Sequence, residues 1–424
     1  MTPDAVRAAA EQLVDVHERF APLFGKEQAQ DHAYDYVKGL MVCPDRKSVE
    51  PIALLVGHGD VSGLQKFINS APWQYDDVQA ELQAVFDDEL VPSAAGSPVG
   101  VVGVIDESAF AKQGVHSAGV ARQHNGRLGK EDNCQVGVFL VGVTPAGAAL
   151  LDHRLYLPEP WADDADRRTK AKVPEAIPFQ TKPQIALDLL DRAKQWGVRW
   201  ACVTADADYG DNPNFLAGLE ERRQRYVVAV RADFAVTLAR RGGEARRADA
   251  LVAAQATRSW RSVTWREGSQ GWMRGRFVAV RCWRVTSSGR RRAGWLIGED
   301  ASDGKRRYYW SNFGAEALLE RMVEYAHRRH WVEQYHEEAK GLLGWDQYQG
   351  RQWGGFHRHA ACVMLAYSFL VWREWQQRQE RTRPGRPRRA FSPSAGSTEG
   401  VATGGASADQ RLAPARSGQG VVVA

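Results

Sequence analysis

Residues 101–106 read VVGVID, five small or apolar residues running straight into an aspartate. A short apolar run bounded by polar residues reads as a buried strand. Two more strands are expected downstream, QVGVFLVGV at 135–143 and AALLDHRLYL at 148–157, joined by the turn Thr144-Pro145-Ala146-Gly147. A helix over 182–196 then leads through Gly197 into WACVTA at 200–205, again an apolar run that ends on an aspartate, Asp206. A helix over 213–223 and a strand RYVVAV at 225–230 complete the pattern.

Three strands followed by alternating helix and strand is the element order of an α/β, RNase H-like mixed-sheet core. Residues 232–312 interrupt it with strand-like segments rich in Trp and Arg (SVTWR, RFVAVRCWRV, AGWLIGED, RRYYWSNF), which read as a β-rich insertion. Helical spacing resumes near Ala315 and runs, with a break at 341–354, to about Trp375. On the N-terminal side, residues 3–20, 28–42, 62–70 and 75–90 carry helical spacing, and VPSAAGSPVG at 91–100 reads as a linker. The expected organisation is a helical domain over 1–95, a core in two parts over 96–231 and 313–380, the insertion over 232–312, and a tail over 381–424. The Pro-, Gly-, Arg- and Ser-rich composition of that tail predicts a basic, disordered segment.

The chain has 424 residues, 44% of them hydrophobic and 25% charged, and no apolar run approaches the roughly 20 residues that span a bilayer. A membrane protein is therefore not expected. The N-terminus lacks the basic start and apolar centre of a secretory signal, and the five cysteines are scattered without a CxxC pair, so a reducing cytoplasm is expected rather than a disulfide framework or structural zinc. The net charge of +5 conceals an acidic first hundred residues and a concentration of basic residues over 240–310 and beyond Arg373. Arginines interleaved with tryptophans in the second half point to a polyanion, although a charge run also reads as a solvated face.

Asp106 and Asp206 each follow a buried strand, where carboxylates on rigid elements converge well on hard divalent cations. An aspartate there also reads as a helix cap or turn residue. Asp208 competes with Asp206 as the inward-facing group. A third acid is expected from a helix after the insertion. Glu333 lies among Trp331, Val332 and Tyr335, and Arg329, Glu333 and Lys340 share one stripe of a helix, a spacing that also describes an ordinary surface ion-pair ladder.

The chain resembles bacterial insertion-sequence transposases of the IS701 type, within the IS4-like group. The resemblance is carried by DESAFAKQGVHSAGVARQHNGRLGKEDNCQVGVFLVG (106–142), TADADYGD (204–211) and HWVEQYHEEAKGLLGWDQYQGRQWGGFHRHAACVMLAYSFL (330–370), and extends to DRKSVEPIALLVGH near the N-terminus. It implies an acid triad of Asp106, Asp206 and Glu333 that is both catalytic and metal-binding, holding two Mg²⁺ or Mn²⁺ ions. It also implies that Arg329 and Lys340 contact DNA phosphates, with Arg122, Lys130 and Tyr209 as further DNA contacts. The tyrosine that the group carries three residues before the arginine is displaced here: Ala326 stands in its place and Tyr325 is one position off. The block His124-Asn125-Gly126-Arg127 with Lys130 reads either as a DNA-contacting loop or as a polar hairpin connection. Trp265, Trp272, Trp283 and Trp295 read either as core of the insertion or as platforms for an unpaired base. His357, His359 and Trp353 read as packing or phosphate contacts, not metal ligands.

The resemblance implies an enzyme that binds the terminal inverted repeats of a mobile element, cleaves the DNA ends and transfers the 3′-hydroxyl into target DNA. It would act as a homodimer on double-stranded DNA in the bacterial cytoplasm. A catalytically silent DNA-binding derivative and a plain nuclease on the same core are the competing readings. Cleavage in Mg²⁺ separates the first, and strand transfer of a pre-cut end the second.

Overall fold

The computed structural model describes residues 1–382 except 57–58, 127 and 269–270. Residues 383–424, most of the expected tail, and Arg127 of the polar block lie outside the described residues. The N-terminal residues form helices α1 (Pro3–Ala10), α2 (Val14–Phe20), α3 (Glu27–Val42), α4 (Val49–Leu55), α5 (Val61–Asn69) and α6 (Tyr75–Val85). The single helix expected over 3–20 is broken by a turn at 11–13, yet its apolar stripe of Val6, Ala9, Leu13, Val16 and Phe20 stays buried throughout. The helix α4 was not anticipated.

Two sheets follow. The first contains β1 (Val102–Ala111), β2 (Ala121–Asn125), β3 (Lys130–Val143), β4 (Ala148–Leu155) and β5 (Cys202–Thr204). Its order is β2-β3-β1-β5, with β4 also on β3. β1 and β3 are antiparallel along the whole of β1, whereas β1 and β5 are parallel, with Val104 beside Thr204. This pairing corrects the expectation that the first strand ends at Ile105. Asp106 is paired with Phe139 in mid-strand, because DESAFA alternates half-buried and buried positions and β3 offers it a continuous partner.

Short helices α7 (Glu159–Ala162) and α8 (Ala165–Lys170) precede α9 (Lys182–Gln195). α9 begins with a capping box of Thr181 and Gln184 and buries Ile185, Ala186, Leu189, Leu190 and Ala193 on one face. After β5 come α10 (Ala207–Gly210), α11 (Pro213–Glu221) and β6 (Val227–Val230). The second sheet is built from β6, β7 (Ala235–Thr237), β8 (Arg246–Arg247), β9 (Arg261–Gly268), β10 (Gly271–Val285), β11 (Arg291–Asp300) and β12 (Arg306–Ser311), with α12 (Ala248–Ala253) between β8 and β9. Its order is β6-β12-β11-β10-β7-β8, with β9 on β10. β6 also lies beside β5, where Val203 N–H donates to Arg225 O at 2.9 Å and Ala229 N–H to Ala205 O at 3.0 Å. The Trp- and Arg-rich strands are thus continuous with the first sheet through β6.

Helices α13 (Leu319–His327), α14 (His330–Leu343) and α15 (Trp353–Thr382) close the described chain. α14 buries Val332, Tyr335, His336, Ala339 and Leu343 at helical spacing and ends at Gly344, whose φ of 68° is the left-handed conformation that stops a helix. Among the described residues no helix is long and apolar enough to cross a membrane.

Candidate active site

The register of the first sheet decides which acids meet. Val104 lies beside Thr204, so two residues further along each chain Asp106 comes alongside Asp206. Asp206 caps the short α10, accepting from the backbone N–H of Asp208 at 3.0 Å and of Tyr209 at 3.3 Å. This turn is pressed against β6: a Cβ added at Gly210 would lie 1.8 Å from the carbonyl oxygen of Ala229. Glycine at 210 therefore lets the Asp206 turn sit where it does. Asp208 points elsewhere, exposed and paired with Arg231.

Glu333 arrives from the first turn of α14, and Arg329 joins it to the strands. The guanidinium lies 3.4 Å from Asp106 Oδ1 and also pairs with Glu333. Burial pushes the Asp106 carboxyl up to about 7 against the pull of Arg329, and the nearby Asp206 and Glu333 charges push the same way as burial. Burial and then Asp208 raise the Asp206 carboxyl, again opposed by Arg329. Burial disfavours charge on Arg329, but Asp106, Glu333 and Asp206 together hold it more firmly protonated than usual. The structure thus brings Asp106, Asp206, Glu333 and Arg329 together.

Lys340, two turns further along α14, lies 3.4 Å from the Ala109 carbonyl and 5.4 Å over the ring of Phe110, beside β1 rather than at the acids. Arg122 and Lys130 sit on the β2–β3 hairpin, in register with Asn133 and Asn125. Their nearest register position on β3 is six residues from Phe139, the partner of Asp106, so they are not brought to the acids. Of the block around His124, His124 and Asn125 end β2 and Lys130 begins β3. Tyr209 corrects the expectation of a DNA contact: it is 1% exposed and donates its hydroxyl to Glu107 at 3.1 Å. Tyr325 is equally removed, buried, stacked on Phe313 and bonded to the Val99 carbonyl.

Glu107 was not singled out from the sequence. It neighbours Asp106 on β1, receives Tyr209 on one oxygen and Lys182 at 2.5 Å on the other, and burial raises its pKa against Lys182. The only signal for it was adjacency to Asp106. A groove of about 700 Å³ also opens beside Glu333, lined by Arg231, Arg266, Arg306, Arg307, Arg329 and Trp265 among others. Trp265 is already stacked on His327, at 3.9 Å between ring centroids, and Trp295 donates to the Gly314 carbonyl. Trp272, at the start of β10, stands out as 66% exposed. His357, His359 and Trp353 are buried in packing.

The donor set of three carboxylates, with no thiolate or imidazole, suits a hard divalent cation. Among the described residues no three His, Cys, Asp or Glu side chains are drawn together tightly enough to hold an ion. Arg329 supplies the positive charge that bridges Asp106 and Glu333.

The profile of a family described as "DDE superfamily endonuclease" matches residues 19–272, and that of "Transposase DDE domain" matches residues 181–369. A curated relative, "Probable transposase for insertion sequence element IS701" from Microchaete diplosiphon, is 29% identical over 194 residues. That match covers 46% of this chain and 47% of the relative, so the chain spans about half the length of the curated relative it matches. A solved piggyBac transposase synaptic complex with hairpin DNA is 11% identical, with a TM-score of 0.39 over 85% of this chain and 68% of that one.

Proposed function

We propose, on the premise that the chain belongs to the DDE superfamily endonucleases and within them to the IS4-like DDE transposases, that it cleaves DNA at the ends of an insertion sequence and joins the freed 3′-hydroxyl to target DNA. The observation that carries this is the placement of three acids about one arginine: Arg329 pairs with Asp106 and Glu333, and Asp206, just past the strand parallel to β1, adds to the charge that keeps it protonated. Asp106, Asp206 and Glu333 would hold two Mg²⁺ or Mn²⁺ ions, which when bound activate the attacking oxygen and stabilise the leaving one. Arg329, which sits among these acids, would receive a DNA phosphate, with Lys340 further along the same helix.

The fold we propose is an RNase H-like core. Support comes from the mixed β2-β3-β1-β5 order, with a parallel pair at the acids and helices α9 and α14 packed beside it. We propose further that residues 232–312 are an insertion in that core, that residues 1–95 form a DNA-binding helical domain, and that two copies act together because two element ends must be held. The groove beside Glu333, with arginines around it, supports a role of the insertion in holding a DNA end.

Mg²⁺-dependent release of a donor fragment from a plasmid carrying the element's ends tests the reading. Loss of release in Asp106→Ala, Asp206→Ala and Glu333→Gln is the expected result. Unchanged release in any one of them removes that residue from the site.

A further inference from the structure

Two adjoining grooves lie beyond the far end of β1, and neither contains a carboxylate in its lining. One, about 530 Å³, is lined by Lys66 of α5, Lys172 and Arg351 together with Ser, Asn, Gln and Gly residues. The other, about 250 Å³, shares Arg351 and adds Arg167, Lys170 and His116 around Trp161. Lys66, Lys170, Lys172 and Arg351 are exposed. By contrast, the groove beside Glu333 mixes its arginines with Glu299, Asp303 and Glu333. An acid-free, polar and cationic concavity has the chemistry that receives phosphate oxygens.

This surface is assembled from distant segments and held by the backbone. Ala118 N–H donates to Arg351 O and Trp353 N–H to Ala171 O, both at 2.9 Å. Arg167 donates to the Val115 carbonyl at 3.1 Å and lies 3.9 Å over the Trp161 ring. Tyr348 donates to Asn69 of α5 at 2.8 Å. Lys172 takes a φ of 52°, a left-handed conformation that lysine seldom adopts, at the turn that carries it into the groove. Asp166, adjacent in sequence to Arg167, is exposed but lines neither groove, and Asp164 is engaged in capping α8.

The chain leads from the acids to the grooves along β1. From Asp106 to Ala111, β1 advances about 17 Å at roughly 3.4 Å per residue. Arg329 flanks Asp106, where this stretch begins, and Lys340 lies beside Ala109 further on, and the segment 112–118 then enters the second groove at Val115 and His116. A duplex ending at the acids would pass the end of β1 after about half a helical turn and go on toward this surface. We infer that the grooves around Lys66, Lys170, Lys172 and Arg351 form a backbone-binding surface for double-stranded DNA, holding the duplex that runs away from the cleaved bond. The inference rests on the function proposed above and adds a surface outside both the insertion and the acid cluster.

The test is binding of the full chain, without divalent metal, to a fluorescent duplex of about 30 base pairs, three turns, across a range of salt. Replacing all four cations (Lys66→Gln, Lys170→Gln, Lys172→Gln, Arg351→Gln) is expected to reduce the magnitude of the slope of log K against log salt by about 3.6, at about 0.9 per phosphate contact. The triple variant Lys66→Arg, Lys170→Arg, Lys172→Arg should keep the original slope. A second form of the quadruple variant with Lys172→Gly suits the left-handed backbone and guards against a folding defect. An unchanged slope in the glutamine variants overturns the inference while leaving the function standing. Loss of single-strand binding with duplex binding intact also overturns it. Failure of the unsubstituted chain both to bind duplex and to cleave in Mg²⁺ removes the functional reading, and this one with it.

Discussion

Asp106 and Asp152 are both strand aspartates whose carboxyls desolvation pushes up to about 7, and both face an arginine. Their surroundings differ in every other respect. Asp152, on β4, is 0% exposed and is enclosed by Gln79 of α6 at 3.0 Å, Arg192 of α9 at 3.2 Å and the backbone N–H of His153 at 2.7 Å. Its neighbours donate to it, and the one nearby acid, Asp76, shares Arg192. Asp106 is 13% exposed, and two further carboxylates repel it while Arg329 divides its charge among them. A raised carboxyl is thus common to both, and what separates a site from a structural clamp is like charge gathered at an opening.

The largest effect expected is the one that breaks this distinction if it fails. Asp106→Asn should reduce Mg²⁺-dependent cleavage by about 10³-fold or more, as for loss of a directly participating charge, and leave the melting temperature unchanged or higher because a repulsion is removed. Asp152→Asn should leave cleavage within a few-fold. Cleavage lost equally in both at matched stability would mean that the clamp is part of the chemistry.

Stability should show the reverse order. Asp152→Ala leaves Arg192 and Gln79 facing a cavity and should cost about 2–4 kcal/mol in urea unfolding, toward the lower end because Arg192 is 24% exposed. A cost below about 0.5 kcal/mol, the range of ordinary surface substitutions, would show that the network does not hold α6 and α9 to β4. The same group gives a pH dependence. Its folded carboxyl titrates near 7 and the unfolded one near 4, so the folded state keeps a proton that the unfolded chain releases. The stability this contributes is complete below about pH 4 and is lost as pH rises to about 7, by up to about 1.4 kcal/mol per unit. Arg192, Arg154, Asp76 and the adjoining His153 also face the group, and burial holds His153 well below its ordinary value, so it stays neutral across the window. Asp152→Asn should therefore flatten the stability profile between pH 4 and 7, which chemical unfolding at stepped pH measures.

Much of this was legible in the sequence, and the parts that were not share a cause. The apolar runs at 101–105, 135–143 and 200–205 marked the strands that carry the acids, because burial on both faces leaves continuous hydrophobic sequence. The stripe of Arg329, Glu333 and Lys340 was legible because helical spacing is local. The true length of β1 was not, since DESAFA is polar and is held as strand only by β3, whose pairing is set by contacts remote in sequence. Glu107 and Lys182 are 75 residues apart and meet only in the fold. The separation of Asp206 from Asp208 depends on the close approach of Gly210 to β6, a tertiary constraint that composition cannot convey. The continuity of the two sheets through β6 is likewise a matter of long-range pairing.

The smallest effect expected concerns Tyr209, which stands between the two kinds of environment. Its backbone N–H holds Asp206, its ring packs against Phe215 at 5.1 Å, and its hydroxyl reaches Glu107, whose other oxygen is already held by Lys182. Tyr209→Phe keeps the first two contacts and removes only the third. The loss should be about 1 kcal/mol of stability, and cleavage should fall by less than about 10-fold, the factor that 1.4 kcal/mol would give. Lys182→Met, which removes the other support of Glu107, should have a comparable effect, and the two together should exceed the sum because Glu107 would be left buried without a donor. If Tyr209→Phe alone abolished cleavage while the melting temperature held, the phenol would belong to the reacting groups. Burial would then have failed to separate a positioning residue from a catalytic one.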